Sequence, residues 1–293
     1  MKLFATRTLS HLLAPCMAVV LGVGSPAVVA AESAESAEAA ADKRADKPAK
    51  KPKKNRGKWY YSGLKWQEPP VVATEKASSK PPADAIVLFD GSDLSAFENS
   101  DNWRINNGVA TVGRGNLLSK QAFGDCQLHV EWQCPKDEEG SGQGRGNSGI
   151  YFMGRYEMQI LDSYRNPTYL DGMAGAVYKQ TPPLVNAIRP PGEWNVYDIV
   201  FTAPRFAEDG EVLSPAYVTA FCNGVLIHNH TRLEGETPSW RMPKYRKHPA
   251  KLPLKIQDHG DPVKFRNIWV REIQPLANER IHKPMMDHKR GMK

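Results

Sequence analysis

The sequence has few of the residues and motifs that build metal centres and disulfide frameworks. It contains only four cysteines, and neither a CxxC nor an HExxH motif occurs. A structural zinc site is therefore not expected. Three cysteines, Cys126, Cys134 and Cys222, remain once a predicted signal peptide is removed, so at least one thiol stays free whatever the pairing. Cys126 and Cys222 lie in strand-like runs and are equally compatible with a place in the core.

Amphipathic helical periodicity is also missing from the central part of the chain, residues 84–275. Short runs rich in β-branched and aromatic residues recur there instead, and turn dipeptides such as Asn223-Gly224 separate some of them. The runs are 86–89, 109–112, 126–133, 148–153, 156–161, 194–201, 217–222, 225–230, 254–257 and 265–273. The pattern predicts an all-β domain, an antiparallel sandwich or jelly roll without a helix longer than about three turns.

The first 30 residues have the organisation of a secretory signal peptide. Lys2 and Arg7 precede an uncharged, mainly apolar stretch, 12–30, which ends in the small residues that signal peptidase requires. Glycines and a proline within the stretch disfavour a persistent spanning helix, although an uncleaved anchor is the alternative. We therefore expect an exported protein, periplasmic or extracellular and associated with the cell envelope, with no transmembrane segment after cleavage.

Positive charge is concentrated in one short segment. Residues 31–41 repeat Ala, Glu and Ser, and residues 43–58 carry nine Lys or Arg and one Asp, a net charge of +8. The whole chain carries +7, so everything outside 43–58 sums to +7 − 8 = −1. This composition predicts a disordered tether at 31–58 that can touch an anionic envelope. Because the folded part has no basic stripe, nucleic acid is not expected as a partner.

Two less regular segments flank the β domain. Residues 59–83 are rich in proline with scattered aromatic residues and are interpreted as an extended entry segment. Residues 276–293 are basic and polar and are expected to fray. The predicted organisation is a signal peptide (1–30), a tether (31–58), an entry segment (59–83), a β domain (84–275) and a tail (276–293).

The stretch 146–164 carries the densest set of candidate site residues. Polar and apolar residues alternate in its second strand-like run, so Glu157 and Gln159 point to one face and their apolar neighbours to the other. Arg155 and Asp162 stand at the ends of this run. With the apolar face in the core, the outer face presents a carboxylate and an amide, as a polar ligand site does. An ordinary solvated strand face is the alternative.

Three more motifs place polar groups beside glycine or proline. Glycine lets the backbone approach a ligand closely, although a plain surface loop is equally compatible with such a sequence. The motifs are the glycine-rich loop 140–146 followed by Asn147 and Ser148, then Asn186 and Arg189 beside a double proline, and finally Gln257, Asp258 and His259 after a strand.

Six segments together resemble one known family. They are FDG (89–91), GNSGIY (146–151), GRYEMQILDSY (154–164), PPLVNAIRPPGEWNVYDIVFTAPRF (182–206), NGVLIHN (223–229) and QDHGDPVKFRNIWVRE (257–272). On these segments the chain is identified as a member of the domain of unknown function 1080 family, also named the 3-keto-disaccharide hydrolase domain. The resemblance implies a concanavalin A-like (lectin or glucanase type) jelly roll, of a kind abundant in planctomycetes and Bacteroidetes. The implied substrate is a carbohydrate, a glycoside oxidised at C3 of a glucose unit.

The implied reaction starts from the acidity of the C2 proton beside a 3-keto group. A base removes this proton, the leaving group departs from C1, and water adds to the enone to give net hydrolysis. This route requires a base, an acid and a group that holds the enolate charge. We expect Glu157 or His259 as the base. Arg155, Arg189 or a divalent cation, calcium or another, is expected to hold the oxyanion.

The remaining candidate residues receive binding roles. Asp162 and Asp258 are the predicted metal ligands. The predicted substrate-binding residues are Asn147, Ser148, Arg155, Gln159, Asn186, Arg189 and Trp194. In space, we expect Arg155, Glu157, Gln159 and His259 to converge on the concave face of one sheet.

Two other functions fit the same residues. One is glycoside hydrolysis by two carboxylates, Glu157 with Asp162 or Asp258. Glu157 and Asp162 point to opposite faces of a flat strand, which disfavours that pair unless a bulge intervenes. The other function is carbohydrate binding without catalysis, because a jelly roll does not by itself imply an enzyme. The aromatic residues available to stack on sugars are Tyr164, Tyr169, Tyr178 and Trp194.

Overall fold

The computed structural model describes residues 59–61, 64–66, 80–136, 139–237, 242–280, 283 and 285–287. The predicted signal peptide and tether lie outside these residues, as do most of the entry segment and much of the tail, so their boundaries stay predictions. No helix in the described ranges is long and apolar enough to cross a membrane.

The regular secondary structure of the described residues is almost entirely β-strand. The strands are β1 (Trp59–Tyr61), β2 (Leu64–Trp66), β3 (Ile86–Phe89), β4 (Phe97–Glu98), β5 (Arg104–Asn106), β6 (Val109–Thr111), β7 (Leu117–Phe123), β8 (Cys126–Gln133), β9 (Ser148–Phe152), β10 (Tyr156–Ile160), β11 (Asn195–Thr202), β12 (Arg205–Phe206), β13 (Val212–Ser214), β14 (Tyr217–Cys222), β15 (Val225–Arg232), β16 (Leu252–Ile256), β17 (Lys264–Glu272), β18 (Asn278–Arg280) and β19 (Met285–Asp287). Two short 3₁₀ turns, Gly142–Gly144 and Leu170–Gly172, complete the secondary structure.

Two antiparallel sheets form the body of the protein. The first has five strands in the order β10-β9-β16-β7-β4. The second has eight, in the order β15-β14-β11-β8-β17-β6-β5, with β3 also pairing with β17. Two small ribbons, β12 with β13 and β2 with β18, accompany them. Strands β1 and β19 pair in a separate unit.

The core lies between the two large sheets, where their apolar faces meet. Strand β8 shows how a strand contributes to this core. Alternate residues, including Leu128, Val130 and Trp132, are fully buried on its inner face. Phe152 of the first sheet stacks on Phe201 of the second, with ring centroids 4.6 Å apart. Each such buried side chain contributes about 1.5–3 kcal/mol relative to exposure. The predicted antiparallel sandwich without long helices is therefore confirmed for the described part of residues 84–275.

The three cysteines of the domain, Cys126, Cys134 and Cys222, are buried, and no disulfide joins them within the described residues. Burial raises the pKa of Cys126 and of Cys222 to about 12, so both stay neutral thiols that pack as small apolar side chains. The core interpretation of Cys126 and Cys222 therefore holds.

Strand β10 differs from the half-solvated strand that its alternation suggested. Its polar residues are also buried, Glu157 being 4 % and Gln159 1 % exposed. A segment of residues 175–178, here called the edge segment, runs along the otherwise free edge of β10. Gln159 N donates to Ala176 O (3.0 Å), and Tyr178 N donates to Glu157 O (3.2 Å). The edge segment thus satisfies backbone groups along this edge of the sheet. The Gln159 side chain is enclosed from other parts of the chain, by Gln143 and the Gly172 carbonyl.

Candidate active site

A row of three functional side chains crosses the middle of the five-stranded sheet. Glu157 of β10 pairs directly with Tyr151 of β9, which in turn pairs directly with Lys255 of β16. Directly paired residues point to the same face of a sheet, so these side chains form one line on the outer face. Their strand neighbours, such as Met158 and Ile256, are buried in the core.

A second row beside the first contains Gln159, Gly149 and Gln257. Gln159 pairs with Gly149, whose carbonyl accepts the backbone N–H of Gln257 at 2.8 Å. One end of the Gln159 amide lies 3.2 Å from Glu157 Oε1, and the other lies 3.0 Å from Gln143 Oε1. With its nitrogen turned toward Glu157, this amide donates to the carboxylate and fixes its position.

Gly149 is the residue that leaves space for the Glu157 carboxylate. A Cβ atom at position 149 would lie 2.5 Å from Glu157 Oε1 and 3.2 Å from Gln257 Oε1. The carboxylate therefore lies directly over the glycine backbone, and any other residue at position 149 would occupy part of its space.

We expect Gly149→Ala to push the Glu157 carboxylate out of its position and to abolish most activity on the substrate proposed below. Overpacking of this kind typically costs about 1–3 kcal/mol of stability, so a folded variant should be obtained. Gly144→Ala is the matched control, since a Cβ there meets nothing within 4 Å. Full activity in folded Gly149→Ala would show that the carboxylate position does not matter.

Glu157 is an unusual carboxyl group because burial disfavours its charged form. Burial raises the pKa of Glu157 to about 7, while the nearby Tyr151 hydroxyl and Lys255 ammonium oppose the shift only in part. Its Oε2 atom is buried without a hydrogen-bond partner in the part of the chain that the structure describes. A carboxyl group with a pKa near 7 can accept or donate a proton at neutral pH.

Lys255 is a cation that no carboxylate neutralises in the described ranges. Its Nζ lies 3.4 Å from the centroid of the Tyr151 ring, over the face of that ring, in a cation–π contact. Burial lowers the pKa of Lys255, and the neighbouring Glu157 partly opposes this effect. Burial also raises the pKa of Tyr151 well above its usual range, so the hydroxyl remains a proton donor. Together they offer a positive charge and a donor beside Glu157.

An ion cluster borders the site at the start of β10. Arg155 Nη1 donates to Glu236 Oε1 at 2.6 Å, and Arg246 Nη1 donates to the other oxygen of the same carboxylate at 2.9 Å. Thr237 is held against the strand, because its N–H donates to Arg155 O and its hydroxyl accepts the N–H of Glu157. These contacts fix the loop around residue 236 beside the carboxylate.

Tyrosines and a lysine border the site on the side of the edge segment. The hydroxyls of Tyr169 and Tyr178 lie 2.7 Å apart, and Nζ of Lys179 lies 3.3 Å from the Tyr169 ring centroid. Burial, followed by the hydrogen bond with Tyr169, raises the pKa of Tyr178 above its usual range. These three residues line one open cleft of about 1050 Å³. Of the residues described above, the cleft is also lined by Tyr151, Arg155, Glu157, Glu236, Thr237, Lys255 and Gln257, and His259 lines it as well.

Comparison with known proteins identifies the family. The sequence model of the 3-keto-alpha-glucoside-1,2-lyase-like domain matches residues 84–271. The chain belongs to this family. None of the curated proteins matches it.

One solved structure supports the family assignment. A candidate glycosyl hydrolase from Parabacteroides distasonis ATCC 8503 is 47% identical, with a TM-score of 0.68 over 71% of this chain and 93% of its own. A second candidate glycosyl hydrolase from that organism is 20% identical, with a TM-score of 0.48 over 65% of this chain and 94% of its own. The lyase-like domain is thus a carbohydrate-processing fold in the form of a β-sandwich.

The cleft of the lyase-like domain gathers part of the set predicted from the sequence. Arg155, Glu157 and His259 line it, and Gln159 lies behind Glu157 rather than in the cleft wall. His259 is exposed at the end of the chain segment that follows β16. The catalytic roles of these residues stay predictions. Three of the four residues do lie in one cleft, as an active site requires.

Asn147 and Ser148 hold the start of β9 instead of lining the cleft. Both are buried; the N–H of Asn147 donates to Asp261 Oδ2 (2.6 Å) and Ser148 Oγ donates to Gln257 O (2.7 Å). Their hydrogen bonds connect β9 to the segment that carries His259. In this structure they support the site from behind.

Asn186, Arg189 and Trp194 also lie outside the cleft lining. Asn186 Nδ2 donates to a loop carbonyl, and Arg189 Nη1 donates to Trp194 O at 2.9 Å. The Trp194 ring faces the guanidinium of Arg266 at 4.1 Å from the centroid to Cζ. The contacts that the structure gives these three residues are with the protein itself.

The two predicted metal ligands do not fit a metal site in this arrangement. The carboxylate oxygens of Asp162 face the Arg145 guanidinium at 2.8 Å and the Tyr164 amide at 3.0 Å. Those of Asp258 accept two backbone N–H groups, at 2.8 and 2.9 Å. No group of three or more His, Cys, Asp or Glu in the described ranges could hold a metal ion. The oxygens of both aspartates are already engaged by positive or N–H groups, so no step is assigned to a metal.

The sequence interpretation gave no role to Tyr151, Lys179, Glu236 or Lys255, all of which line the cleft. Lys255 had a usable signal, because it stands two residues before Gln257 and between apolar residues in a strand. Tyr151 had a weaker one, since it interrupts an apolar run. Lys179 and Glu236 lie in irregular segments, where the sequence pattern does not indicate the direction in which a side chain points.

Proposed function

We propose that this protein cleaves the glycosidic bond of 3-keto-glycosides by removing the C2 proton and eliminating the group at C1. The observation that carries the proposal is Glu157, a buried carboxyl group with a pKa of about 7, in one row with the Tyr151 phenol and the Lys255 ammonium. A base of this kind suits a carbon acid at neutral pH. Membership of the lyase-like family and the 47% identical candidate glycosyl hydrolase support a sugar substrate.

The reaction begins at C2 of the oxidised glucose unit. Glu157 takes the C2 proton, and the electron pair of the C–H bond moves into the enolate of the 3-keto group. The enolate then expels the oxygen on C1, which leaves a C1=C2 double bond conjugated with the ketone. Addition of water across that bond, with OH at C1 and H at C2, gives the 3-keto sugar and completes a hydrolysis.

Lys255 and Tyr151 are assigned to the enolate oxygen. Negative charge develops on O3 as the proton leaves, and fixed donors aimed at developing charge are among the strongest catalytic devices. The ammonium of Lys255 forms no ion pair with a carboxylate in the described part of the chain, so its charge is available to the substrate. Glu157 holds the C2 proton after the first step, and we assign to it the return of this proton to the oxygen that departs from the neighbouring C1. His259, exposed in the segment that follows the strand of Lys255, lines the cleft and is assigned no step.

A specific observation argues against each of the other two functions. In the two-carboxylate mechanism Glu157 would need a partner, but Asp162 and Asp258 are engaged elsewhere and neither lines the cleft. Carbohydrate binding without chemistry would use aromatic faces. One face of the Tyr169 ring is covered by Lys179, and one face of the Tyr151 ring by Lys255. Both observations favour the elimination chemistry.

A substrate panel tests the proposal. The purified protein is incubated with 3-keto-glucosides and with the matched unoxidised glucosides, each with and without chelator. We expect cleavage of the 3-keto compounds only. Cleavage of unoxidised glucosides would establish ordinary glycoside hydrolysis, and binding without cleavage of any member would establish a binding module. The chelator arm tests the expected divalent cation.

The pH dependence of kcat/KM should carry the signature of Glu157. The base must be ionised, so activity should rise with pH up to a midpoint near 7, in place of the usual carboxyl value near 4.5. Deprotonation of Lys255, whose pKa is lowered, should reduce activity on the alkaline side. A profile that is flat between pH 5 and pH 8 would exclude Glu157 as the titrating base.

We also propose that the mature protein is exported to the periplasm or the cell envelope. The support is the organisation of residues 1–30 and the basic tether that follows. Sequencing the N-terminus of the protein from fractionated cells tests this proposal. A cytoplasmic protein that keeps Met1 would overturn it.

A further inference from the structure

The cleft contains two lysines that are placed in the same unusual way. Lys255 lies over the face of Tyr151, and Lys179 lies over the face of Tyr169, at 3.4 and 3.3 Å from the ring centroids. No ion pair involves either lysine in the described ranges. Aromatic faces hold both ammonium groups, so neither charge is neutralised by the protein.

The other charged groups of the cleft do not neutralise these two lysines. Arg155 and Arg246 engage the two oxygens of Glu236, which leaves that carboxylate no free oxygen to offer a lysine. Glu157 is the remaining carboxyl group of the lining, and it is buried. The lining therefore carries more positive than negative charge, with one lysine on each side of Glu157.

The Lys179 ammonium is held in place by the residues around it. A Cβ at Gly172 would overlap the Tyr169 ring, so that ring lies against the glycine on one side and carries Lys179 over its face. Lys179 itself adopts a left-handed backbone conformation, φ +60°, which lysine rarely takes. Its N–H donates to Asp171 O at 2.8 Å, and its neighbour Tyr178 is hydrogen-bonded to Tyr169.

The order of groups across the sheet assigns a subsite to each lysine. Lys255 lies two strands from β10 on one side of Glu157, and Lys179 follows the edge segment on the other side. In the proposed reaction O3 faces Lys255 and C2 faces Glu157. Because C1 follows C2 in the ring, the group that leaves from C1 points toward Tyr178 and Lys179.

We infer that Lys179 forms the aglycone subsite and selects 3-keto-glycosides whose aglycone carries a negative charge, such as a carboxylate or a sulfate. This inference rests on the proposed function for the position of the sugar ring. An unpaired, preoriented ammonium at the leaving-group side interacts favourably with an anion there, and a neutral aglycone leaves its charge unused.

Two substrates of nearly the same shape, one with an anionic and one with a neutral aglycone, test the inference. They are the 3-keto-glucosides of 4-hydroxybenzoate and of 4-hydroxybenzamide. We expect wild-type kcat/KM to be about three- to tenfold higher for the acid, a range suited to a partly exposed ion pair. Sodium chloride should reduce this ratio, since salt screens exposed charges.

The acid-to-amide ratio should fall to about one in Lys179→Met and should persist in Lys179→Arg. Lys120→Met is the matched control, because Lys120 is exposed on β7 and lies outside the cleft lining. A wild-type ratio near one, or a ratio that Lys179→Met leaves intact, would overturn the inference. If wild type cleaves neither compound, the proposed function fails instead. In that case, calorimetry measures the affinities of wild type and Lys179→Met for the unoxidised acid and amide glucosides. The ratio of the two affinities then shows whether Lys179 forms a subsite for an anionic aglycone.

Discussion

Glu157→Gln is expected to lower kcat/KM on a 3-keto-glucoside by about 10²–10⁴-fold, the usual contribution of a positioned base. Glutamine keeps the shape of the side chain and its contact with Gly149, but it cannot accept the C2 proton. Binding of the unoxidised glucoside should change little. Steady-state kinetics and calorimetric binding on the same preparation separate the two effects. Unchanged turnover would remove Glu157 from the mechanism.

Thermal unfolding of the same variant is a control, because the direction in which its stability relative to wild type changes with pH can be predicted. The pKa of Glu157 is raised from 4.5 to about 7 in the folded protein, so the folded state binds more protons than the unfolded state between these values. Wild type should therefore lose stability relative to Glu157→Gln as the pH rises from 4.5 to 7. Glu211→Gln, at an exposed position, should follow wild type at every pH. A variant that loses binding and stability together would indicate a structural carboxylate.

Lys255→Met is expected to lower kcat by about 10²–10³-fold, the range found when one donor to a developing oxyanion is removed. Methionine fills a similar volume on the Tyr151 ring and leaves the strand intact. Because the charge acts mainly on the enolate, KM should change less than kcat. Lys255→Arg keeps a cation at this position and should retain more activity than Lys255→Met.

The control for Lys255 is the exposed Lys251, which forms an ion pair with Glu272 outside the cleft. Lys251→Met should behave as wild type in kinetics, since exposed ion pairs contribute little to stability. The pH midpoint adds a second measurement, because removing the Lys255 ammonium should move the acidic midpoint of Lys255→Met above that of wild type. Equal kcat values for Lys255→Met and wild type would show that another group stabilises the enolate.

Local periodicity predicted much of the fold, because the alternation of polar and apolar residues within one strand indicates which residues point to each face of the sheet. The runs 86–89, 126–133 and 217–222 coincide with β3, β8 and β14. The same reasoning placed Glu157 and Gln159 on one face of β10 and needed only nearest neighbours. It failed to predict their burial, because the groups around the two side chains, such as Gln143 and Tyr151, come from other segments of the chain.

The composition of the site could not be predicted in the same way, because it depends on the register between distant strands. Lys255 faces Glu157 only because β9 lies between β10 and β16, about a hundred residues apart in sequence. Trp194 shows the converse case, since the sequence offered it as one of the aromatic residues available to stack on sugars. Its ring in fact faces Arg266, a residue of the other large sheet. Neither outcome is encoded within the few residues around either position.

The edge segment that covers β10 has a consequence for how this protein can be changed. An uncovered strand at the border of a sheet presents free backbone donors and acceptors, which recruit strands from other molecules. Here residues 175–178 satisfy them, and the same piece of chain carries Tyr178 and leads into Lys179. Shortening this piece to admit bulkier sugars would therefore expose a strand to intermolecular pairing. Variation in substrate range and resistance to aggregation are tied together, so single side-chain changes are a safer route to new specificity than deletions.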